Sequence, residues 1–185
     1  AHLCGGDVTE GSYDDAMREC ISRMATWHFP SSLQSSQRLE ALGYRNMYML
    51  GSTGIDYIRH ADWRKERPYN EPYVVVSYQP ETIDDTIDLA AVDAAIAGRK
   101  AIWIAPNQDR GSDRIPKGQI FEHGEFLNLL AHCEEFIGNS SAMLYEAPEL
   151  GVKTCMIGKR QKGRVIPWGD GFASERIAKI LRYCA

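Results

Sequence analysis

The sequence predicts an α/β fold whose second half is built on a parallel sheet, and two observations carry that expectation. From residue 73 onward, nearly continuous apolar runs at 73–78, 100–105, 136–137 and 154–157 alternate with segments of helical length. Strands covered by helices on both faces read in this way, because neither side of the strand meets water. The loops that follow these runs are rich in Gly, Asn, Ser and Asp, and loops at strand C-termini are where α/β proteins bind ligands.

Taken in order, residues 1–13 (AHLCGGDVTEGSY) carry a Gly pair followed by Asp7, Thr9, Glu10, Gly11 and Ser12, turn chemistry directly after a strand end. Residues 14–28 place Met17, Cys20, Ile21, Met24, Ala25 and His28 on one face at helical spacing, with Asp14 and Asp15 in the first turn, where the helix dipole favours carboxylates. A second helix is expected over 31–42, closed by Gly43, then a strand over 44–50 and a Gly-x-x-x-x-Asp turn at 51–56 ending in Asp56. Residues 60–72 have no period, are heavily charged and hold two Pro, so a boundary is placed there. The expected division is a partial N-terminal portion at 1–60, a linker at 61–72 and a domain at 73–185. Within that domain, helices are expected at 83–97, 124–133, 142–149 and 173–183, between and after the strands.

The stretch from Glu134 to Arg164 organises the rest. An apolar run ends at Gly138, Asn139, Ser140 and Ser141 follow as three possible helix caps, and a second strand comes after the helix. A helix N-terminus offers unpaired N–H groups and the positive end of the dipole, which suits phosphate. Glu146 lies about 7.5 Å along a continuous helix from Ser141, at about 1.5 Å per residue, close to the separation of a ribose from its phosphate. Arg160 and Arg164 could neutralise a diphosphate with forked donors. The same residues also fit an ordinary Ser-capped helix followed by a solvated basic turn.

Residues 138–164, GNSSAMLYEAPELGVKTCMIGKRQKGR, resemble the nucleotide-binding segment of UDP-N-acetylglucosamine 2-epimerases, in particular the hydrolysing branch, in which a Ser pair, a Glu and an Arg-Gln-x-Gly-Arg loop recur. The non-hydrolysing branch is less similar, having Asp-Ser-Gly-Gly where this chain has Asn139-Ser140-Ser141-Ala142. The resemblance implies a GT-B fold, with a complete Rossmann-like C-terminal domain here and an incomplete Rossmann-like N-terminal portion. It implies contacts to UDP through Gly138, Asn139, Ser140, Ser141 and Arg160, and to the ribose through Glu146. It extends to His2-Leu3-Cys4-Gly5-Gly6-Asp7 and the Asp14-Asp15 pair, similar to a His-x-(Glu or His)-Gly-Gly-(Asp or Glu) turn and the acidic pair opening the next helix. Many members carry a catalytic Glu at the place of Cys4, so the catalytic carboxylates it implies here are Asp7 and Asp14; Arg18 matches a family Arg that would face the cleft, and a solvated surface Arg fits equally well. For Asp14, a helix-start role and a catalytic role both fit. Asp56 matches a sugar-contacting Asp, against a simple turn residue. Gln79 stands where the family usually has a His before Pro, and Asn107 lies in a Pro-Asn-x-Asp-x-Gly-Ser turn similar to the family's.

The implied reaction is hydrolysis of UDP-N-acetylglucosamine, or a related UDP-sugar, with inversion at C2, giving N-acetylmannosamine and UDP in amino-sugar and sialic acid metabolism. The alternatives are a UDP-sugar-binding domain or fragment without catalysis, a GT-B glycosyltransferase and a plain α/β interaction module. Epimerases of this family are about twice as long as this chain, so an upstream portion is expected to be missing, and either that segment or a second copy should complete the first portion. With 185 residues, 44% hydrophobic, and a net charge of −4 whose basic residues are scattered, the chain has a real core and no nucleic-acid footprint. Five scattered Cys without C-x-x-C spacing indicate neither a disulfide framework nor a metal site, and read as reduced thiols of a cytoplasmic protein. No apolar run approaches the roughly 18 residues of a membrane span. No cofactor or metal is expected.

Overall fold

The computed structural model describes residues 1–8, 14–63 and 66–184. In chain order its elements are β1 (His2–Leu3), α1 (Asp14–Met24), β2 (His28–Phe29), α2 (Leu33–Ala41), α3 (Thr53–Arg59), β3 (Val74–Ser77), α4 (Leu89–Ile96), β4 (Ala101–Trp103), α5 (His123–His132), β5 (Phe136–Gly138), α6 (Glu146–Leu150), β6 (Thr154–Met156) and α7 (Ala173–Cys184). Two 3₁₀ turns, Ser112–Arg114 and Ser141–Met143, interrupt the loops. The chain forms two units, one of Ala1–Ala61 with Gly163–Ala185 and the other of Asp62–Lys162. Among the described residues no helix is long and apolar enough to cross a membrane. The turn residues Thr9, Glu10, Gly11 and Ser12 lie outside the described residues.

The second unit is a four-stranded parallel sheet in the order β4-β3-β5-β6. Side chains alternate across β3. Val75, paired with Ile102 and Phe136, joins Tyr73, Leu129, Leu130 and Ala147 on the face covered by α5 and α6. Val74, Val76 and Tyr78 join Val92, Ile137 and Ile157 on the face covered by α4. Each fully buried side chain of this kind contributes about 1.5–3 kcal/mol through removal from water. α5 is opened by a capping box between Glu122 and Glu125, which satisfies amides a helix start would otherwise leave unpaired.

In the first unit β1 and β2 run parallel, with His2 opposite His28. The C-terminal helix α7 packs with α3, and the chain before it is tied in by Trp168 N–H donating to Ser31 O and Ser52 N–H donating to Trp168 O, both at 2.8 Å. Ile55, Ile58, Ala173 and Ile177 are buried there.

Several expectations are corrected. α1 ends at Met24, and His28 belongs to β2 rather than to the apolar helix face. The strand expected over 44–50 is a single bridge from Met47 to His28, because Asn46 adopts a left-handed φ of 52° that breaks the extended run. The helix expected from residue 83 starts at Leu89. Asp84 instead closes a local turn on the amide of Thr86, Asp85 is left-handed, and the Asp88 carboxylate caps the helix by accepting from Ala91 N–H at 2.9 Å. The segment 142–149 is a 3₁₀ turn followed by the short helix α6, since Pro148 has no N–H for a continuous helix. Residues 163–185 belong with the first unit and not with the domain at 73–185, because α7 is packed and capped by residues of α3.

Candidate functional site

In the second unit β3 leads to β4 on one side, and β5 returns on the other. Their C-terminal ends therefore form the switch point at which open α/β sheets bind ligands. Gly138 makes this end possible. Its φ is 135°, and a Cβ there would lie 2.0 Å from the carbonyl oxygen of Ser77, a separation no side chain tolerates.

Asn139 is the hub of the four loops beyond the strands. It is fully buried; its Oδ1 accepts from Gln79 N–H and its Nδ2 donates to Gln79 O, both at 2.8 Å. Its own carbonyl accepts from Gln161 Nε2 at 2.8 Å. The Gln79 side-chain oxygen accepts from Asn107 N–H at 2.8 Å. The loops after β3, β4, β5 and β6 are thereby stitched into one scaffold. Of the three residues expected as caps, Ser140 is the one seen capping, accepting from Ala142 N–H at 3.3 Å. Asn139 is committed to the β3 loop, and Ser141 opens the 3₁₀ turn.

Glu146 stands at the start of α6. One carboxylate oxygen lies 3.8 Å from His123 Nε2, and the other, Oε2, is buried without a hydrogen-bond partner among the described residues. Such an acceptor calls for a donor that a bound hydroxyl would supply. Arg160 donates to Pro80 O and, at 2.8 Å, to Asp109 Oδ2, with its side chain 14% exposed. No local pattern marks the Asp109 pairing, whose partners stand 51 residues apart. Together these groups offer hydroxyls, the Glu146 carboxylate and one cation, Arg160, paired with a second carboxylate, Asp109, chemistry suited to a polar, anionic ligand.

The first unit holds a different cluster. The turn after β1 brings Asp7 to α2, where Ser35 Oγ donates to its Oδ1, and Arg18 Nη1 donates to its carbonyl at 3.5 Å. Burial pushes the Asp7 carboxyl above the ordinary carboxylate range, while the Ser35 bond, Arg164, Arg18 and His2 pull it partly back. Cys4 is left-handed at φ 58°, and burial with the neighbouring Asp7 charge pushes its thiol up, partly offset by Ser31 and Ser52. Arg18 also pairs with Asp15 at 3.1 Å, and the charges of both Arg18 and Arg164 act on Asp7. Asp14 is exposed at the helix start. Arg164, expected with Arg160 at a diphosphate, falls in the unit that holds Asp7. Ser35, which shapes the Asp7 environment, was hidden in a Ser-rich segment that reads only as helix-capping.

Asp56 is corrected. Its side chain was expected at a sugar, but it is 3% exposed, and its two oxygens accept from Ala173 N–H at 3.2 Å and Ser174 N–H at 2.6 Å. It caps α7. Among the described residues no group of three or more His, Cys, Asp or Glu is placed to hold a metal ion.

The family model described as UDP-N-acetylglucosamine 2-epimerase matches residues 1–166. The polysialic acid biosynthesis protein P7 of Escherichia coli is 30% identical over 193 aligned residues, 89% of this chain and 49% of that protein. The hydrolysing UDP-N,N'-diacetylbacillosamine 2-epimerase of Legionella pneumophila is 27% identical, over 88% of this chain and 50% of that enzyme. The chain thus spans about half the length of the curated relatives it matches. The crystal structure of the Neisseria meningitidis UDP-GlcNAc 2-epimerase bound to UDP-GlcNAc superimposes with a TM-score of 0.68 at 14% identity, covering 98% of this chain and 69% of that one. At that identity the likeness concerns the fold, an α/β fold of the GT-B kind with parallel sheets.

Proposed function

Because the chain belongs to the UDP-N-acetylglucosamine 2-epimerase family, we propose that it serves a hydrolysing epimerase reaction, converting UDP-N-acetylglucosamine or a related UDP-sugar to the free 2-epimeric sugar and UDP. The observation that carries the reading is the switch-point cradle, where Glu146 keeps a buried carboxylate oxygen that no group among the described residues partners, beyond the Gly138 turn. A ribose hydroxyl donating to Glu146 would supply that partner. Ser140, Ser141 and Arg160 would meet the diphosphate, with Gln79, Asn107 and Asn139 holding the loops in place. The Asn139-Ser140-Ser141 sequence and the Arg160-to-Arg164 loop favour the hydrolysing type, the type of the Legionella pneumophila relative.

In this reading Asp7 removes the C2 proton while the C1–O bond to UDP breaks, leaving a glycal. Water then adds across the double bond, its hydroxyl to C1 and a proton to C2 from the opposite face. Negative charge developing on the departing diphosphate is held by fixed donors, Arg160 among them. Arg18 and Arg164 favour the ionised form of Asp7 against its burial. Among the described residues the thiols of Cys4, Cys20, Cys133 and Cys155 are free, and the setting proposed for the chain is the cytoplasm.

Cys4 supports a second reading, a UDP-sugar-binding segment without turnover. Its thiol, pushed up by burial, is a poor substitute for a catalytic carboxylate at neutral pH. Incubation with UDP-N-acetylglucosamine, followed by NMR, decides between the two. Appearance of N-acetylmannosamine and UDP is expected. No turnover with UDP still bound would favour the second reading, and no binding of UDP would overturn both.

A further inference from the structure

Asp109 sits where the functional reading needs an anion. Arg160 has five N–H donors in a rigid fork, and two of its bonds are visible, one to the Pro80 carbonyl in the loop after β3 and one to Asp109 Oδ2 at 2.8 Å. The two partners of the ion pair are unequally anchored. The Arg160 side chain is 14% exposed and held by a backbone carbonyl, while the Asp109 side chain is 43% exposed, in the loop after β4. The adjacent residue in the sequence, Gln161, is fixed to the Asn139 carbonyl at 2.8 Å, so the segment carrying the guanidinium is tied to the β5 loop as well. If one partner leaves, it is the carboxylate.

We propose that Asp109 is an internal competitor for the diphosphate, a carboxylate that neutralises Arg160 while the cradle is empty and is exchanged for a phosphate when nucleotide binds. The inference rests on the reading that Arg160 meets the diphosphate. The exchange replaces one ion pair by another, so the half-buried guanidinium is never left without a counter-charge, which would be costly. It also lowers apparent affinity, because only molecules with Asp109 displaced accept ligand, and release of UDP is assisted by the returning carboxylate. The neighbouring charges are Arg110, 89% exposed and paired with Asp85 at 3.2 Å, and Arg114, which donates to the Asp85 carbonyl at 2.7 Å. Both are engaged away from Asp109 by Asp85.

The test is calorimetric titration of UDP, and separately of inorganic pyrophosphate, into wild type, Asp109→Asn, Arg160→Ala and the double variant. Asp109→Asn keeps the shape of the side chain and removes its charge, and is expected to tighten UDP about three- to tenfold, as an ion pair at a partly exposed site allows. The gain is expected to vanish in the double variant, because it acts only through Arg160. A purely structural Asp109 would instead weaken UDP when altered. Unchanged or weaker binding by Asp109→Asn, or a gain that persists without Arg160, overturns the proposal. Should wild type bind no UDP, the functional reading fails by itself. Tighter pyrophosphate binding by Asp109→Asn would then still sustain the competitor role, and its absence would end it.

Discussion

The two units solve the same α/β problem with different interiors. The second encloses its sheet between two apolar layers, with Val74, Val75, Val76, Phe136 and Ile137 essentially inaccessible. The first has two-residue strands and an interior rich in polar groups: His2, Ser22, His28, Ser31, Ser32, Ser35, Ser52 and Asp56 are all buried. Its first helix leaves Met17, Ile21 and Met24 exposed at 66%, 44% and 79%. The difference teaches where each kind of chemistry can be placed. A rigid apolar scaffold holds fixed hydrogen-bond geometry around Asn139. A polar interior can keep a half-buried carboxylate such as Asp7 with raised proton affinity, balanced by Ser35, Arg164 and Arg18. The buried hydrogen-bonded hub thus lies in one unit and the carboxylate of raised proton affinity in the other.

The sharpest way to break this comparison is Asp7→Asn. Loss of a general base is expected to lower turnover about 10²- to 10⁴-fold, while UDP affinity, measured by calorimetry, stays near wild type. Because the folded-state pKa of Asp7 is raised and the ionised form is the base, the acid limb of the wild-type pH–rate profile should lie above the ordinary carboxylate range. The matching stability contribution has the opposite sense. It is fully present below the unfolded pKa and is lost as pH rises through the folded one. A variant that loses UDP binding in proportion to turnover would show that the two roles are not divided between the units.

Next in size is Asn139→Ala. It removes two buried side-chain hydrogen bonds to Gln79 and leaves the Gln79 amide and carbonyl unpaired, at a cost of about 2–4 kcal/mol. Urea unfolding followed by tryptophan fluorescence is the measurement, and UDP affinity should fall with stability. A loss below about 0.5 kcal/mol, the range of ordinary surface changes, would remove Asn139 from the centre of the scaffold.

Asp56→Ala acts on the other unit. Losing both cap acceptors of α7 should cost about 1–2 kcal/mol, seen as faster amide exchange in Ala173–Cys184 with Val74–Ser77 unaffected. Equal exchange in both places would mean that the two units do not respond separately.

The smallest effect is that of pH on the first unit. Burial lowers the pKa of His2, with repulsion from His28 adding to it, and burial likewise lowers that of His28, both from the ordinary 6.5. A lowered folded-state value means that the contribution is present above the unfolded pKa and is lost as pH falls through the folded ones. Amide protection in His28–Phe29 should therefore weaken as pH is lowered from neutrality, whereas among the described residues the buried histidines are His2 and His28, both outside the unit of β3. Equal pH dependence in both strands would contradict the assignment.

What was legible in the sequence follows the same division. The strands of the second unit read directly because burial on both faces forces uninterrupted apolar runs. The cluster at Gly138 to Ser140 stood out because a tight backbone approach and a polar turn demand those residue types. The helix expected from residue 83 was lost to a side-chain decision at Asp84 and Asp88, where local carboxylate bonds outcompete helix propensity. The strand over 44–50 failed at one left-handed residue, Asn46. The roles of Asp56 and Asp109 were invisible because their partners, Ala173 and Arg160, lie far along the chain, and no local pattern marks a pairing of that kind.

The return of α7 to the first unit has a consequence for how the molecule is made. Residues 62–162 emerge from the ribosome as one uninterrupted segment, whereas the first unit needs residues 163–185 before Asp56 can meet the amides of Ala173 and Ser174. Synthesis proceeds from the N-terminus, and domains generally fold in that order. Here the later segment can finish first, while the earlier one waits with the carboxylate of Asp56 and the apolar side chains of Ile55 and Ile58 still without their cover. Of the two units, the one built around Ile55, Ile58 and Asp56 waits longest for its cover and is the one most in need of chaperone protection.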